Sequence, residues 1–288
     1  IAEAAVLLRV DNVLAALEAL ARAARQRSQA HIIAITGSVG KTGTKASLAA
    51  ALMKSGSVHA AERSFNNHIG VPLTLARLPA DAEFGVFELG MNHAGEIKAL
   101  VDMVRPHCAI ITTIAAAHIE NFDSMADLAA AKAEILTGIE KGGTAILPFD
   151  NDYFDLLAAT AKTHQVSMLS FSVEGRADAD SHIERAKLHE ACSCVTANIC
   201  AQAVTYKIGA PGIHQVANSL AVLTAVHLAG ADLALAALSL ADQDGLDGRG
   251  ARYRLGGDEV SVTLIDESYN ANPTSMAAAL DTLGLSPR

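Results

Sequence analysis

Charge is scarce in this chain and weighted to one sign. Only 18% of its 288 residues are Asp, Glu, Lys or Arg, and the balance is −9. No cluster of Lys and Arg occurs anywhere along it. An acidic sequence with a pI near 5.6 lacks the counter-charge that holds a nucleic-acid backbone, so a nucleic-acid partner is excluded. Apolar residues make up 51%, enough to bury a large core and unlike a disordered chain. The length accommodates two domains or one large one.

Cysteine is also sparse. Cys108 sits in an apolar run and reads as a buried thiol. Cys192, Cys194 and Cys200 lie close together, but a C-x-C spacing lacks the paired C-x-x-C of a zinc knuckle. Reduced thiols in a cytoplasmic protein are the expectation. A long uninterrupted hydrophobic run is missing too. The nearest approach, residues 218–242, is interrupted by His227 and Asp232 and split by Gly230. A charged group at mid-bilayer costs about 2.5–3.5 kcal/mol on insertion scales. Two packed helices are therefore expected there, with no membrane insertion. The first residues, "IAEAAVLLRVDNVL", show no basic region leading into an apolar stretch and a cleavage site. They also lack an initiating Met, so the chain reads as a piece of a longer protein.

Apolar positions at helical spacing predict a leading helix over residues 6–25. From His31 short β-rich runs alternate with amphipathic stretches. The strands expected are 31–35, 84–88, 108–113, 144–148 and 166–171, with helices starting near Lys41, Ile69, Gly95, Ser124 and Asp152. This alternation predicts an α/β fold with a doubly wound, mostly parallel sheet. Ligands in such sheets bind beyond the C-terminal strand ends. Residues 177–208 break the rhythm and predict a small antiparallel β addition. "DQDGLDGRG" (242–250) reads as a hinge. A strand over 260–266 and a helix from about Pro273 follow. The expected division is 1–30, 31–252 and 253–288.

"AITGSVGKTGTKASLAAAL" begins at Ala34, follows a strand and opens a helix. The commonest phosphate loop has a glycine five positions before its G-K-[ST]; here that position is Ile35. The nearest earlier glycine is Gly37. The shorter loop still lets the N–H groups of Gly37, Ser38, Val39, Gly40, Lys41, Thr42 and Gly43 turn onto phosphate oxygens at a helix N-terminus. Lys41 then reaches the terminal phosphates and Thr42 offers a hydroxyl to Mg²⁺. The bland alternative is a glycine turn with a surface lysine. Glu88, at the end of an apolar strand between Gly85 and Gly90, is a candidate Mg²⁺ ligand or a helix cap. His118, just past the next strand end, is a third candidate at that edge or a structural histidine.

These residues resemble the Mur ligase superfamily, ATP-dependent amino-acid ligases of peptidoglycan synthesis. Its loop is the short form T-G-[ST]-x-G-K-[ST]. The resemblance extends through "SFNNHIGVPLTL", "ELGMNHAGEI", "AHIENF", "AAAKAEIL", "PGIHQVANSLA", "GRG" and "IDESYNANPTSM". It covers nearly the whole chain. "NNHIGVPLT" and "SYNANPTSM" select the branch that adds D-alanyl-D-alanine to UDP-N-acetylmuramoyl-tripeptide. The resemblance implies three domains: one for the UDP end of the substrate, a central ATP-binding one, and a Rossmann-like one that closes over the nucleotide. This chain would hold the end of the first, all of the second and the start of the third, and would turn over slowly or not at all alone.

The resemblance further implies two Mg²⁺ sites. Thr42 and Glu88 would hold one; His118 and Lys132 would serve the other. An ammonium repels Mg²⁺, and Lys132 would act as a carbamate formed with CO₂. That reaction needs the neutral amine, hence a lowered pKa. Without the resemblance Lys132 reads as a solvated helix lysine. Asn66 and Asn67 would orient phosphate groups or serve as turn residues. His214 and Asn218 share a helical face and would lie near the nucleotide or cap a helix. Arg249, Asp266 or Glu267, and Asn270 would meet the nucleotide from the third domain. Departures from the family pattern stand at Gly43, Thr113, Ala115-Ala116, Pro148 and Gln215; they bear on adenine contacts and remove no proposed metal ligand. The substrates implied are small molecules, the setting cytoplasmic and the state monomeric, with a role in cell-wall biogenesis, cell shape and division. Rival readings are folylpolyglutamate synthase, a P-loop kinase or regulatory NTPase, and a nucleotide-binding module without catalysis.

Overall fold

The structure, a computed structural model, describes residues 8–117, 119–243, 245–256 and 261–285. His118 and the first residues of the expected leading helix lie outside them.

That helix, α1, spans Val13–Arg27 rather than 6–25. The Asn12 side chain accepts from Ala15 N at 3.0 Å and starts it there, so a local cap overrides the apolar periodicity before it. The elements then run β1 (His31–Thr36), α2 (Lys41–Leu52), β2 (Val58–Ala60), α3 (Gly70–Ala76), β3 (Phe84–Glu88), α4 (Glu96–Val104), β4 (Cys108–Ile111) and α5 (Met125–Ala133). Next come β5 (Thr144–Pro148), α6 (Phe154–Thr163), β6 (Ser167–Ser172), β7 (Ser181–Leu188), β8 (Ser193–Ile199) and β9 (Gln202–Ile208). The last are α7 (Ile213–Leu228), α8 (Leu233–Ser239), β10 (Ala251–Gly256), β11 (Ser261–Asp266) and α9 (Pro273–Leu283).

Nine strands form one sheet in the order β2-β3-β1-β4-β5-β6-β7-β8-β9. Pairing is parallel from β2 through β7 and antiparallel from β7 to β9. The antiparallel addition predicted from 177–208 is present, and it continues the main sheet. It joins through the short register Phe171–Ser181 and Ser172–His182. β2 was not expected; three half-buried residues at an edge carry too little apolar pattern. The expected strand at 108–113 ends at Ile111, because Thr112 and Thr113 turn toward the loop after β1.

Helices cover both faces, so the central strands are buried on both sides and read as apolar runs. In β1 the period of two sends Ile32 and Ala34 into one core and Ile33 and Ile35 into the other. α2 packs on the second core through Leu48, Ala51 and Leu52. α4 packs on the first through Ile97, Leu100 and Val101. β1 and β3 are thus neighbours whose following helices leave to opposite faces. This divergence opens a crevice at their C-terminal ends, where ligands of open α/β sheets bind.

The 218–242 stretch lies in α7 and α8, two helices separated at Gly230. No described helix is long and apolar enough to cross a membrane. β10 and β11 make a separate antiparallel pair, followed by α9. Asn272 caps α9 in a reciprocal box with Ser275, with Pro273 in the first turn. The boundary expected between 252 and 253 runs through β10.

Candidate active site

β1 ends at Thr36 and α2 begins at Lys41. The loop between them turns on two glycines with positive φ, Gly37 at 147° and Gly40 at 85°. Both are required. A Cβ at Gly37 would overlap Thr112 Oγ1, and one at Gly40 would lie 2.9 Å from Asn218 Oδ1. The loop is held from the β4 side. Thr112 Oγ1 donates to Val39 O at 2.6 Å, Ser38 N to Thr113 O at 2.9 Å, and Ser38 Oγ to Ala115 O at 2.7 Å. Thr113 and Ala115, two of the departures, serve here through their carbonyls. α7 supplies the other wall, with Asn218 against Gly40.

Lys41 folds back over this loop, donating to Gly37 O at 2.7 Å and Ser38 O at 3.3 Å. Burial lowers its pKa; the Glu88 carboxylate opposes that shift and Arg249 adds to it. Across the crevice, Glu88 is 3% exposed at the end of β3. Its Oε1 accepts from Thr42 Oγ1 at 3.2 Å and from Asn66 Nδ2 at 2.8 Å. Thr42 Oγ1 is also 3.1 Å from Ser64 Oγ. Glu88 Oε2 is buried without a hydrogen-bond partner. A buried, unpaired carboxylate oxygen is costly, and here it belongs to the acid that meets the threonine opening a phosphate-loop helix. That pair suits Mg²⁺, a hard cation that takes oxygen ligands. Among the described residues no group of three or more His, Cys, Asp or Glu could hold a metal by itself. A Mg²⁺ here would draw its remaining ligands from phosphates and water.

Lys132, near the end of α5, is 2% exposed, which removes the reading of a solvated helix lysine. Burial, with the Lys41 charge adding to it, brings its pKa down from 10.5 to about 7. The lowered pKa raises the share of neutral amine near pH 7, as carbamate formation requires.

A cleft of about 1850 Å³ runs from the loop to the β10–β11–α9 unit. Ser38, Val39, Gly40, Lys41, Gly43, Asn67, Glu88, His214, Asn218, Arg249, Glu267 and Asn270 all line it. Thr42 and Lys132 are buried and do not reach its wall. Asn67 caps a helix: its Oδ1 accepts from Ile69 N at 3.1 Å and Gly70 N at 2.8 Å, at the start of α3. Asn66 is the residue of that pair on Glu88. His214 has its pKa lowered by burial. The Arg249 guanidinium lies 4.8 Å from the centroid of the Tyr269 ring. Glu267 has its pKa raised by burial and by Asp266, against the pull of Arg249. Asp266 accepts from Gly248 N and Ser268 N, holding the turns that carry Arg249 and Tyr269. Sequence reasoning missed Lys45, Ser64, Thr112 and Tyr269. Lys45, one helical turn after Lys41, left a spacing signal; the others left none.

A loop of phosphate-binding form, a strand-end acid at the switch point and a buried lysine of lowered pKa are the chemistry-bearing features of this α/β fold. The chain belongs to the Mur ligase family, whose middle domain matches residues 35–226. It is 35% identical over 282 residues to the UDP-N-acetylmuramoyl-tripeptide--D-alanyl-D-alanine ligase of Escherichia coli (strain K12), covering 97% of this chain and 61% of that protein. The enzyme of the same name from Rickettsia prowazekii is 34% identical, covering 96% and 61%. In structure the chain is similar to MurF from Acinetobacter baumannii, with a TM-score of 0.89 at 31% identity, covering 97% of this chain and 60% of that one. The chain thus spans about 61% of the length of the curated relatives.

Proposed function

We propose that this chain is the nucleotide-binding centre of an ATP-dependent ligase that joins D-alanyl-D-alanine to the carboxylate of UDP-N-acetylmuramoyl-tripeptide. One observation carries the reading: the unpaired Glu88 Oε2 beside Thr42 Oγ1, at the mouth of a phosphate loop in a chain 35% identical to an enzyme named for that reaction. A free carboxylate is a poor acyl donor, because its leaving group would be oxide. Transfer of the γ-phosphoryl group of ATP to the tripeptide carboxylate makes an acyl phosphate. Attack by the D-alanyl-D-alanine amine then passes through a tetrahedral intermediate and releases phosphate.

The residues' share of this work is alignment and charge neutralisation. The N–H groups of 37–43 and the α2 N-terminus cradle the β- and γ-phosphates. Lys41 leaves its loop carbonyls to meet them. Thr42 and Glu88 would hold one Mg²⁺, whose positive charge would offset that of the phosphates. Lys132, as a carbamate, and His118 would serve a second. His214 and Asn218 border the nucleotide from α7. Arg249 swings from Tyr269 to the phosphates when the third domain closes, while Glu267 and Asn270 meet the nucleoside. The setting is the cytoplasm, and the working unit a monomer.

The test is phosphate release by the full-length protein with ATP, Mg²⁺ and UDP-N-acetylmuramoyl-tripeptide. Release that needs D-alanyl-D-alanine, and fails with L-alanine or glutamate, is expected. Equal release with glutamate would move the assignment to another ligase branch.

A further inference from the structure

Lys45, unlike the half-buried Lys41, is a buried lysine of α2, and the phosphate chemistry leaves it without a role. It is 3% exposed, one helical turn beyond Lys41, yet its ammonium turns away from the phosphate loop. Nζ donates to Ala61 O at 2.7 Å and to Arg63 O at 2.8 Å. Those carbonyls belong to the irregular segment between β2 and α3.

That segment is fixed mainly by hydrogen bonds, and its C-terminal end is held by Asn67 on α3. From Ala61 to Asn67 no residue is fully buried, and Phe65 is exposed. Its ties are polar. After the two carbonyls on Lys45 come Ser64 Oγ on Thr42 Oγ1, Asn66 Nδ2 on Glu88 Oε1, and Asn66 O accepting from Gly90 N at 2.8 Å. Two of these ties end on the residues that fit a metal. Asn66 occupies Oε1 of Glu88 and leaves Oε2 free; Ser64 fixes the Thr42 hydroxyl.

We propose that Lys45 is a positioning residue of the magnesium site: by clamping the Ala61 and Arg63 carbonyls it places Ser64 and Asn66, which in turn orient Thr42 and Glu88. This rests on the nucleotide-binding reading above. Partners that orient metal ligands typically change metal affinity 10–100-fold when lost. A lysine that touched phosphate itself would weaken nucleotide binding with or without metal. The clamp acts only through the metal-dependent part.

The test compares the full-length native protein with Lys45→Met and Lys45→Arg in two measurements. In the ligand-free protein, amide hydrogen exchange over residues 61–70 is expected to accelerate about tenfold in Lys45→Met, with β1 and β3 unchanged. ADP binding is then measured with Mg²⁺ and with a chelator. The strengthening by Mg²⁺ is expected to fall about tenfold in Lys45→Met and to return largely in Lys45→Arg, which keeps a charged donor for the two carbonyls. Unchanged exchange overturns the clamp. Faster exchange with the Mg²⁺ effect intact overturns its link to the metal, as does an equal loss of affinity with and without Mg²⁺. If native protein binds no ADP at all, the nucleotide reading falls, and the exchange measurement still decides the clamp.

Discussion

Replacing Lys132 by Met should stabilise the ligand-free protein, by an amount that depends on pH. The side chain is 2% exposed, and its pKa falls from 10.5 to about 7 through burial, with the charge of Lys41 adding to it. That displacement corresponds to about 5 kcal/mol of differential interaction between the charged and neutral amine. Between pH 7 and 10.5 the folded chain holds fewer protons at this residue than the unfolded chain. Native stability attributable to Lys132 therefore rises with pH across that window, by about 1.4 kcal/mol per pH unit at most, and is flat below it. Met keeps a similar volume and removes the titration. Urea unfolding in bicarbonate-free buffer should find Lys132→Met more stable than native by about 4 kcal/mol at pH 7, falling to about 2 kcal/mol at pH 9. A difference that stays constant between those pH values would refute the desolvated amine. Adding bicarbonate should stabilise the native protein and leave the variant unchanged, because only the native chain has an amine to carbamylate.

Gly37→Ala places a Cβ on Thr112 Oγ1 at a backbone angle L residues rarely adopt. Thermal unfolding should show a loss of about 1–3 kcal/mol, and calorimetry a fall in nucleotide affinity of more than tenfold. Glu88→Gln removes the buried charge beside Thr42; the fold should persist by circular dichroism while ADP affinity stops responding to Mg²⁺. Asn272→Ala deletes the capping box of α9 and should cost about 1 kcal/mol in chemical denaturation.

The parallel strands were legible because burial on both faces writes them as short apolar runs, as in "HIIAI" and "FGVFE". β2 was not, since an edge strand of three half-buried residues writes no pattern. The continuity of β7 with β6 was hidden because it depends on two residue pairs ten positions apart. Of the site, Lys41, Thr42 and Glu88 were readable from the loop motif and from an acid at a strand end. The side chain on Glu88 was not: "NN" offers two amides, and only the fold turns Asn67 to cap α3 and Asn66 to the carboxylate. Ser64 escaped because its partner is a hydroxyl group, which leaves no mark in a motif; Lys45 left only its spacing from Lys41, and its backbone partners are set by the fold. The burial of Lys132 is a tertiary fact that helical spacing cannot express.

The nucleotide-binding expectations require the crevice between β1 and β3 to seat a metal-bound triphosphate. The most direct measurement is a crystal structure of the protein with Mg²⁺ and a non-hydrolysable ATP analogue. The expected result is a γ-phosphate against the amides of residues 37–42, with the metal bound by Thr42 Oγ1 and Glu88 Oε2. A triphosphate lying away from this loop, or a metal bound without Glu88, would contradict it.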